Sequence, residues 1–230
     1  MKVLVTFAVE TEFAPWRRLR EFRRTAIGDI ELYDARLGDG DLRVLLTGMG
    51  PGPARRIVRA VLGHRPDFCI SSGLAGALRP AYRLGEVLVA HAIGSGGEAE
   101  ILRSDANLLE CAVRCGAKPV QRFWTSETLV RTAREKSALR FEADAVEMES
   151  YAVLAEAARW GVPGVAIRAI SDVAGEDLPY DFDRARDAYG RIRLPGLLAQ
   201  IASRPHRLPA LLRLSQQCRL AAAGENIGFM

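Results

Sequence analysis

The sequence predicts an α/β protein whose parallel or mixed β-sheet is covered by helices on both faces. Strand-like and helix-like segments alternate through about the first two-thirds of the 230 residues. The strands are near-continuous runs of Val, Ile and Leu, which is typical of strands buried on both faces. Helices that separate such strands complete the pattern of an α/β sheet. A chain of this length is most simply a single domain, which we take to span residues 1–230.

Each predicted element follows from its local pattern. Short apolar runs rich in β-branched residues indicate strands, and longer segments with apolar residues three and four apart indicate helices. Glycine and proline at residues 48–53 separate one strand from the helix that follows it. We expect strands at residues 3–9, 30–37, 42–47, 67–72, 87–93, 119–125, 143–146 and 165–171. We expect helices at residues 12–22, 53–63, 107–115 and 149–160.

The chain changes in character from Glu176 onward, and we treat residues 176–230 as a C-terminal extension of the domain. Residues 177–193 are charged and irregular, and residues 194–202 and 208–222 are expected to form two helices. The apolar residues of the second helix have an amphipathic spacing suited to packing on the main body. Because residues 176–207 directly follow Asp172, they are candidates either to form a lid over a ligand pocket or to widen it.

Basic residues exceed acidic ones only slightly, by 32 Lys and Arg to 28 Asp and Glu, for a net charge of +4. Five arginines lie within residues 16–24, Trp-Arg-Arg-Leu-Arg-Glu-Phe-Arg-Arg. A basic amphipathic helix can bind anionic lipid or nucleic acid. More often it is the solvated face of a surface helix, and no nucleic-acid motif accompanies this one. We therefore expect no nucleic-acid partner and no membrane partner. Contact of residues 16–24 with a membrane surface stays open.

Cysteine usage and the N-terminus predict a cytoplasmic protein. The four cysteines show no zinc-ligand spacing, and the chain has only three histidines, so reduced and mostly buried thiols are expected. The first apolar run stops at Glu10, has no cleavage site and fits a strand better than a signal peptide. No apolar run reaches the ~18 residues of a membrane span. We expect no metal ion and no organic cofactor.

Acidic side chains follow three of the predicted strands, where open α/β sheets place their ligand crevices. Glu12 follows the first strand, Glu147 and Glu149 follow the strand at 143–146, and Asp172 follows the last strand. Each acid has an ordinary structural alternative, because acids at helix starts favour the helix dipole and aspartate is a common cap. If each strand delivers its carboxyl end to one rim of the sheet, these acids form one site.

Two glycine turns follow strands of the same sheet. Thr-Gly-Met-Gly-Pro-Gly at residues 47–52 contains Gly48, and Ser-Ser-Gly-Leu-Ala-Gly at residues 71–76 contains Gly73 and Leu74. Such turns bring backbone N–H groups against an anion or a polar ligand. Neither turn matches the dinucleotide-binding or the P-loop pattern, so the turns indicate a ligand site without identifying the ligand.

Taken in order, these segments resemble the purine nucleoside phosphorylase/uridine phosphorylase superfamily over roughly residues 1–175. The closest likeness is to its hydrolytic branch, the methylthioadenosine/S-adenosylhomocysteine nucleosidases and their futalosine-type relatives. It rests on Val-Glu-Met-Glu at residues 146–149 and Arg-Ala-Ile-Ser-Asp at residues 168–172. The resemblance implies a three-layer α/β/α sandwich around a twisted mixed sheet, assembled as a homo-oligomer. It also implies hydrolysis of the N-glycosidic bond of an adenosine-type purine nucleoside.

The resemblance assigns a role to each matching residue. Breaking an N-ribosidic bond leaves negative charge on the base, and a protonated acid at purine N7 neutralises it, a general-acid contribution of roughly 10²–10⁴-fold. Asp172 matches that acid, and Glu12 matches the residue that activates the attacking water. The expected substrate-binding residues are Glu149 at the ribose hydroxyls, Met148 against the sugar face, Arg168 and Ser171 beside Asp172, and Glu147, Gly48, Gly73, Leu74, Leu129 and Val130 as further positions.

Two positions depart from the pattern of the nucleosidases. Leu74 stands where they carry a serine, and Leu129 stands where they carry the aromatic side chain that stacks on the base. Leu129 gives apolar contact without the ~0.5–1.5 kcal/mol of aromatic stacking, and Phe123 or Trp124 is a candidate to compensate. The exact base and the 5′ substituent therefore stay open.

Two alternatives to hydrolysis remain. Phosphorylases of the superfamily bind phosphate with arginines near the first two strand exits. Here Glu10 and Glu12 follow the first strand and would repel phosphate, which favours water as the nucleophile. Arg17 and Arg18 reaching in from the next helix would restore a phosphorylase. A nucleoside-binding module without activity is the other alternative, supported by the two departures from the nucleosidase pattern.

Overall fold

The computed structural model describes residues 1–187, 189–203, 206, 209 and 212–218. Within them, the strands are β1 Lys2–Phe7, β2 Arg23–Ile27, β3 Ile30–Leu37, β4 Gly40–Leu46, β5 Phe68–Ser71, β6 Leu74–Ala77, β7 Val87–Ser95, β8 Glu98–Arg103, β9 Lys118–Thr125, β10 Ala145–Glu147 and β11 Gly164–Asp172. The helices are α1 Glu10–Leu19, α2 Pro51–Val61, α3 Ala106–Arg114, α4 Ala133–Leu139, α5 Ser150–Arg159 and α6 Leu194–Ser203. Short 3₁₀ helices lie at Leu62–His64 and Asp183–Ala185.

The strands form one mixed sheet in the order β2-β3-β4-β1-β5-β11-β6-β10-β9-β7-β8, with a further pairing between β11 and β7. From β4 through β1, β5 and β11 to β6 the strands run parallel. β10 is antiparallel to β6, and β7 is antiparallel to β11. The second pairing of β11 closes a ring of β11, β6, β10, β9 and β7, so the sheet curves back on itself.

Two apolar layers cover the two faces of the sheet. Successive side chains of a strand point to opposite faces, and on β1 Leu4 packs with α2 and α5, whereas Val5 packs with α1 and α3. The same alternation recurs on β11, where Ala166 belongs to the first layer and Ile167 to the second. The fold is therefore the three-layer α/β/α sandwich that the sequence predicted.

The alternation of strands and helices is confirmed, with four additional elements, namely β2, β6, β8 and α4. β2 and β8 lie at the two edges of the sheet and are rich in charged residues, so their apolar signal is weak. β6 is Leu-Ala-Gly-Ala, which has the composition of a turn although it pairs with both β11 and β10. Tertiary pairing decided its structure over its local composition.

The basic segment at residues 16–24 is not one helix, and that expectation was wrong. α1 ends at Leu19, and Arg23 already belongs to β2, which pairs antiparallel with β3. Phe22 packs edge-on against Phe13, with ring centroids 4.9 Å apart. This aromatic contact and the pairing of β2 divide the arginines between a helix, a bend and an edge strand.

The four thiols differ in their exposure. Cys69 is buried and Cys218 is half-buried, whereas Cys111 and Cys115 are exposed on and just after α3. The expectation of mostly buried thiols is therefore wrong for Cys111 and Cys115. The buried residue of α3 is Ala112, so these two cysteines lie on its exposed side.

The C-terminal segment packs back onto the sheet domain. α6 confirms the helix expected at residues 194–202. Of the helix expected at 208–222, residues 209 and 212–218 are helical and the others lie outside the described residues. None of the helices in the described part of the chain has the length and apolar character needed to cross a membrane.

Candidate active site

The candidate site lies around β6, a strand of small residues near the centre of the sheet. Glu12 approaches Gly73 just before this strand, and Asp172 at the end of β11 pairs with Gly76 within it. Glu147 ends β10, which pairs with the other side of β6 in the opposite direction. The expectation of one common rim of carboxyl ends was therefore wrong. β6 lies between β10 and β11, so Glu147 and Asp172 flank it, and Glu12 reaches its start from α1.

Glu12 is held at the start of α1 by three backbone N–H groups. Its Oε2 accepts hydrogen bonds from Ala8 (2.8 Å) and Val9 (3.2 Å), and its Oε1 accepts one from Leu74 (3.0 Å). Burial raises the pKa of Glu12, although the charge of Arg168 and these N–H groups oppose the rise. The carboxylate is thus fixed in position and takes up a proton more readily than an exposed glutamate does.

Glu149 lies at the start of α5, within electrostatic reach of Glu12. Its Oε1 accepts a hydrogen bond of 2.8 Å from the N–H of Gly50, in the first glycine turn. Burial, and next the negative charge of Glu147, raise the pKa of Glu149 to about 8. The charge of Glu12 adds to this rise and that of Arg168 opposes it. At neutral pH, Glu149 therefore retains much of its proton and can donate as well as accept a hydrogen bond.

Glu147 is engaged on both carboxylate oxygens by the protein itself. Its Oε2 accepts hydrogen bonds from Nη2 of Arg168 (2.7 Å) and from the backbone N–H groups of Glu149 (2.9 Å) and Ser150 (2.7 Å). Its Oε1 accepts a short hydrogen bond from the hydroxyl of Thr125. These contacts fix the first turn of α5, and with it the backbone of Glu149.

Arg168 lies beside the two glutamates. The side chain is 1% exposed, and its Nη1 donates to the carbonyl of Ser71 (2.7 Å) while its Nη2 lies 2.7 Å from Glu147 and 4.0 Å from Glu149. The sequence predicted Arg168 as a support for Asp172. Arg168 instead contacts the glutamates, because it lies on β11 four residues before Asp172.

Asp172 ends β11 just after a register shift between Ile170 and Asp172, an irregularity of the kind that re-aims a side chain next to a site. Ser171 donates its hydroxyl to Oδ1 of Asp172 over 2.7 Å, which agrees with the position expected for it. Oδ2 lies 2.5 Å from the ammonium of Lys136 on α4. A Cβ atom at Gly76 would lie 2.9 Å from the same oxygen, so a side chain there would displace the carboxylate of Asp172.

The apolar residues expected at the site differ in what they contact. Met148, which stands between Glu147 and Glu149 in the sequence, is buried. Leu74 contributes its backbone N–H to Glu12, so the leucine in place of serine leaves that contact intact. Leu129 is half-buried and donates its N–H to Asp183 (2.6 Å). Val130 packs against a small apolar cluster of Leu78, Ala143 and Val146.

Residues 177–193, which we call the C-terminal cover, join the two loops that flank the site. Arg186 donates to the carbonyls of Met49 (3.2 Å) and Glu127 (3.0 Å), one in each loop. The N–H of Met49 in turn donates to the carbonyl of Gly190 (3.0 Å). Gly48, with φ +77°, has no room for a side chain because the carbonyl of Tyr189 lies against it. The first glycine turn therefore contacts the cover.

Cys218, in the helical residues 212–218, also reaches the site. Burial raises the pKa of its thiol to about 12, and the negative charges of Asp172 and Glu12 act in the same direction. The thiol therefore lies within electrostatic reach of both acids.

The sequence reasoning missed Lys136 and the cover residues Asp183 and Arg186. The helix that carries Lys136 had a signal, since Thr132 and Glu135 form a capping box at its start. That signal predicts a helix but not the partner of Lys136, because the contact with Asp172 joins residues 36 positions apart.

The layered mixed sheet and the buried acids around its glycine-containing strand define an α/β protein of the nucleoside phosphorylase type. The family model described as the phosphorylase superfamily matches residues 2–199. The chain therefore belongs to the phosphorylase superfamily, and the resemblance recognised in its sequence is confirmed.

Curated relatives agree with this membership. The 5′-methylthioadenosine/S-adenosylhomocysteine nucleosidase of Geobacillus kaustophilus is 28% identical over 218 residues, which cover 80% of this chain and 89% of the relative. The protein of the same name from Geobacillus sp. strain WCH70 is 24% identical over 237 residues, covering 88% and 99%. These relatives lie in the nucleosidase branch.

Solved structures show the same fold. The futalosine hydrolase mutant of Helicobacter pylori superposes with a TM-score of 0.74 at 17% identity, covering 99% of this chain and 98% of its own. The 5′-methylthioadenosine/S-adenosylhomocysteine nucleosidase of Neisseria meningitidis, in complex with methylthio-immucillin-A, gives 0.75 at 21% identity, covering 99% and 97%. The likeness extends over almost the whole of this chain.

Proposed function

We propose that this chain hydrolyses the N-glycosidic bond of an adenosine-type purine nucleoside, releasing free base and free sugar. The observation that carries the proposal is the arrangement of three buried acids, Glu12, Glu149 and Asp172, around β6. Relatives named as nucleosidases, which align over most of the chain, support the same reaction.

In this proposal Asp172 gives a proton to the leaving base while Glu12 takes one from the attacking water. The C1′–N9 bond breaks with its electron pair going to the base, and the water oxygen binds C1′. Three backbone N–H groups hold Glu12 in place for this task, and Ser171 orients Asp172 through its hydrogen bond to Oδ1. Well-placed acid and base groups each contribute roughly 10²–10⁴-fold to such a reaction.

Substrate binding in this proposal falls to the residues around the acids. Glu149 holds the ribose hydroxyls and Met148 packs against the sugar, while Leu129 contacts the base without stacking. Glu147 acts through Glu149, because its own oxygens are taken by Arg168 and backbone N–H groups. Gly48, Gly73, Leu74 and Val130 shape the surrounding walls.

Water is the proposed nucleophile because two arginines that could bind phosphate, Arg17 and Arg168, already have carboxylate partners. Arg17 pairs with Glu10 over 2.8 Å on the outside of α1, and Arg168 pairs with Glu147 in the interior. A phosphate beside Glu12 would meet a carboxylate, and like charges in a buried space repel strongly. A phosphorylase is therefore the less favoured reading.

We further propose that the protein works in the cytoplasm. Its resemblance to the nucleosidases implies a homo-oligomer, and it implies no metal or organic cofactor. The C-terminal cover is proposed to act as a lid over the nucleoside.

The test is incubation of the purified protein with a panel of nucleosides, with and without phosphate, followed by chromatography of base and sugar. The panel contains adenosine, inosine, methylthioadenosine, S-adenosylhomocysteine and futalosine. We expect base and free sugar at a rate independent of phosphate. Dependence on phosphate would identify a phosphorylase, and calorimetric binding without any product would identify a non-catalytic module.

The matched variants are Asp172→Asn and Asp39→Asn, the second in an exposed turn. The first should lose at least roughly 10²-fold in rate, whereas the second should retain the wild-type rate. Unchanged turnover by a folded Asp172→Asn variant would exclude Asp172 as the acid.

A further inference from the structure

Lys136 is a buried lysine whose hydrogen bonds all converge next to the proposed acid. The side chain is 0% exposed. Its Nζ donates to Oδ2 of Asp172 (2.5 Å) and to the carbonyls of Val173 (2.9 Å) and Glu176 (2.9 Å). An ammonium has three donors, so these contacts use its full capacity and fix it on one oxygen of Asp172.

A buried ion pair of this kind contributes little to stability on its own. Lysine is almost never fully buried unless it is paired, and the desolvation of two ions often cancels their attraction, so that an apolar pair would stabilise the fold as well. The location at Asp172, the residue that must hand over a proton, points instead to the reaction.

We propose that Lys136 is the source of the proton that Asp172 delivers to the leaving base, an inference that rests on the proposed function. The ion pair and its neutral form, amine with carboxylic acid, contain the same number of protons. Asp172 can therefore become a carboxylic acid without taking a proton from solvent, by drawing one from Lys136.

The proton balance of one turnover closes. Lys136 gives a proton to Asp172, which passes it to N7 of the base as the C1′–N9 bond breaks. Water adds to C1′ and gives its proton to Glu12. The products are neutral base and neutral sugar, and the protein is left with a neutral amine at Lys136, a carboxylate at Asp172 and a carboxylic acid at Glu12. Return of the proton from Glu12 to Lys136 through solvent resets the site.

Few other titratable groups face the pair in the described part of the chain. Ser171 on β11 donates to Asp172, and Glu12 from α1 and Cys218 from residues 212–218 share its electrostatic environment. On α4 itself the neighbours Arg134 and Glu135 are exposed. Lys136 is therefore the group placed to exchange a proton directly with Asp172.

The experiment compares Lys136→Met and Lys136→Arg with the wild type, using methylthioadenosine or whichever panel nucleoside the wild type cleaves. Methionine keeps the volume and removes the charge. Arginine keeps the charge and the donors but does not give up a proton in proteins. If Lys136 supplies the proton, both variants lose roughly 10²-fold or more in kcat with little change in KM. The rate of the Lys136→Met variant also falls at a lower pH than that of the wild type, because Asp172 must then hold the proton alone.

Two results would overturn the inference. A Lys136→Arg variant that keeps kcat within about tenfold of the wild type would show that Lys136 acts only as a fixed positive charge and not as a proton donor. A Lys136→Met variant whose pH profile coincides with that of the wild type would show that Lys136 has only a structural role. Arg134→Met, on the exposed side of the same helix, is the control and should retain wild-type kinetics.

Folding of each variant is checked by circular dichroism and thermal unfolding. If one of them does not fold, Lys136→Gln replaces it, since its amide can still donate to the carbonyls of Val173 and Glu176, and the expectations for Lys136→Met apply to it. Failure of the proposed function is distinguishable, because it would appear as an inactive wild type or an active Asp172→Asn variant.

Discussion

The carboxylate of Glu12 occupies the space in which a side chain on Gly73 would begin. A Cβ atom at Gly73 would lie 2.9 Å from Oε1 and 3.1 Å from Cδ of Glu12. Gly73 also has a φ of +143°, which residues other than glycine rarely adopt. Because Gly73 has no side chain, the carboxylate of Glu12 can accept a hydrogen bond from the N–H of Leu74, the first residue of β6.

Gly73→Ala is therefore expected to move Glu12 away from the N–H of Leu74. The variant should lose roughly 10²-fold or more in kcat, the contribution of a well-placed base, and about 1–3 kcal/mol of stability from backbone strain. Gly63→Ala is the control, because a Cβ there meets nothing within 4 Å. Steady-state kinetics and urea unfolding measure both effects, and a fully active Gly73→Ala variant would contradict the role of this contact.

As the proposed base, Glu12 should set the acid side of the pH profile through its raised pKa. A base must be unprotonated to accept a proton, and burial makes Glu12 hold its proton to higher pH than usual. The rate is thus expected to fall on acidification with a midpoint above the ordinary glutamate pKa of about 4.3. Measuring kcat/KM against pH tests this, with Glu10→Gln as an exposed control. A kcat/KM that does not fall as the pH drops below the ordinary glutamate pKa would exclude Glu12 as the base.

The sequence predicts the sandwich because its central strands are apolar enough to be recognised one at a time. It does not predict β6, since Leu-Ala-Gly-Ala has no strand pattern, and this strand lies at the centre of the site. The acids are predicted by motif, but the partners of Lys136 and Arg168 are not. Each of these cations meets its carboxylate through tertiary pairing, which local spacing does not encode.

The stability of the protein should depend on pH through Glu149. Its pKa rises to about 8 in the folded state, so the folded chain binds this proton more tightly than the unfolded chain. Stability then falls as pH rises from the ordinary glutamate range to about 8. Glu149→Gln removes the ionisation while its amide oxygen still accepts from Gly50.

Relative to the wild type, the unfolding free energy of Glu149→Gln should therefore increase between pH 5 and pH 8 by at least about 1.4 kcal/mol, the equivalent of one pKa unit. Urea unfolding at several pH values measures this difference, with Glu21→Gln, an exposed glutamate, as the control. A difference that stays constant across the window would contradict the raised pKa.

Glu147 and Arg168 should behave as one unit in stability. Removing either partner leaves a buried charge without compensation, which costs about 3–5 kcal/mol. We expect Glu147→Gln and Arg168→Met each to destabilise the fold strongly, and the double variant to lose much less than the sum of the two. A double-mutant cycle by urea unfolding tests the coupling. Simple additivity would show that the ion pair does not hold the two side chains together.

Arg186 is expected to control how firmly the C-terminal cover is held over the site. Its guanidinium joins Met49 in the first glycine turn to Glu127 in the opposite loop. Arg186→Ala should loosen the cover, raise KM more than it lowers kcat, and speed amide hydrogen exchange at Met49, whose N–H donates to Gly190. Arg184→Ala, an exposed neighbour, is the matched control. Unaltered exchange at Met49 in the Arg186→Ala variant would mean that the cover is held by its other contacts, and the proposed lid would then not depend on this arginine.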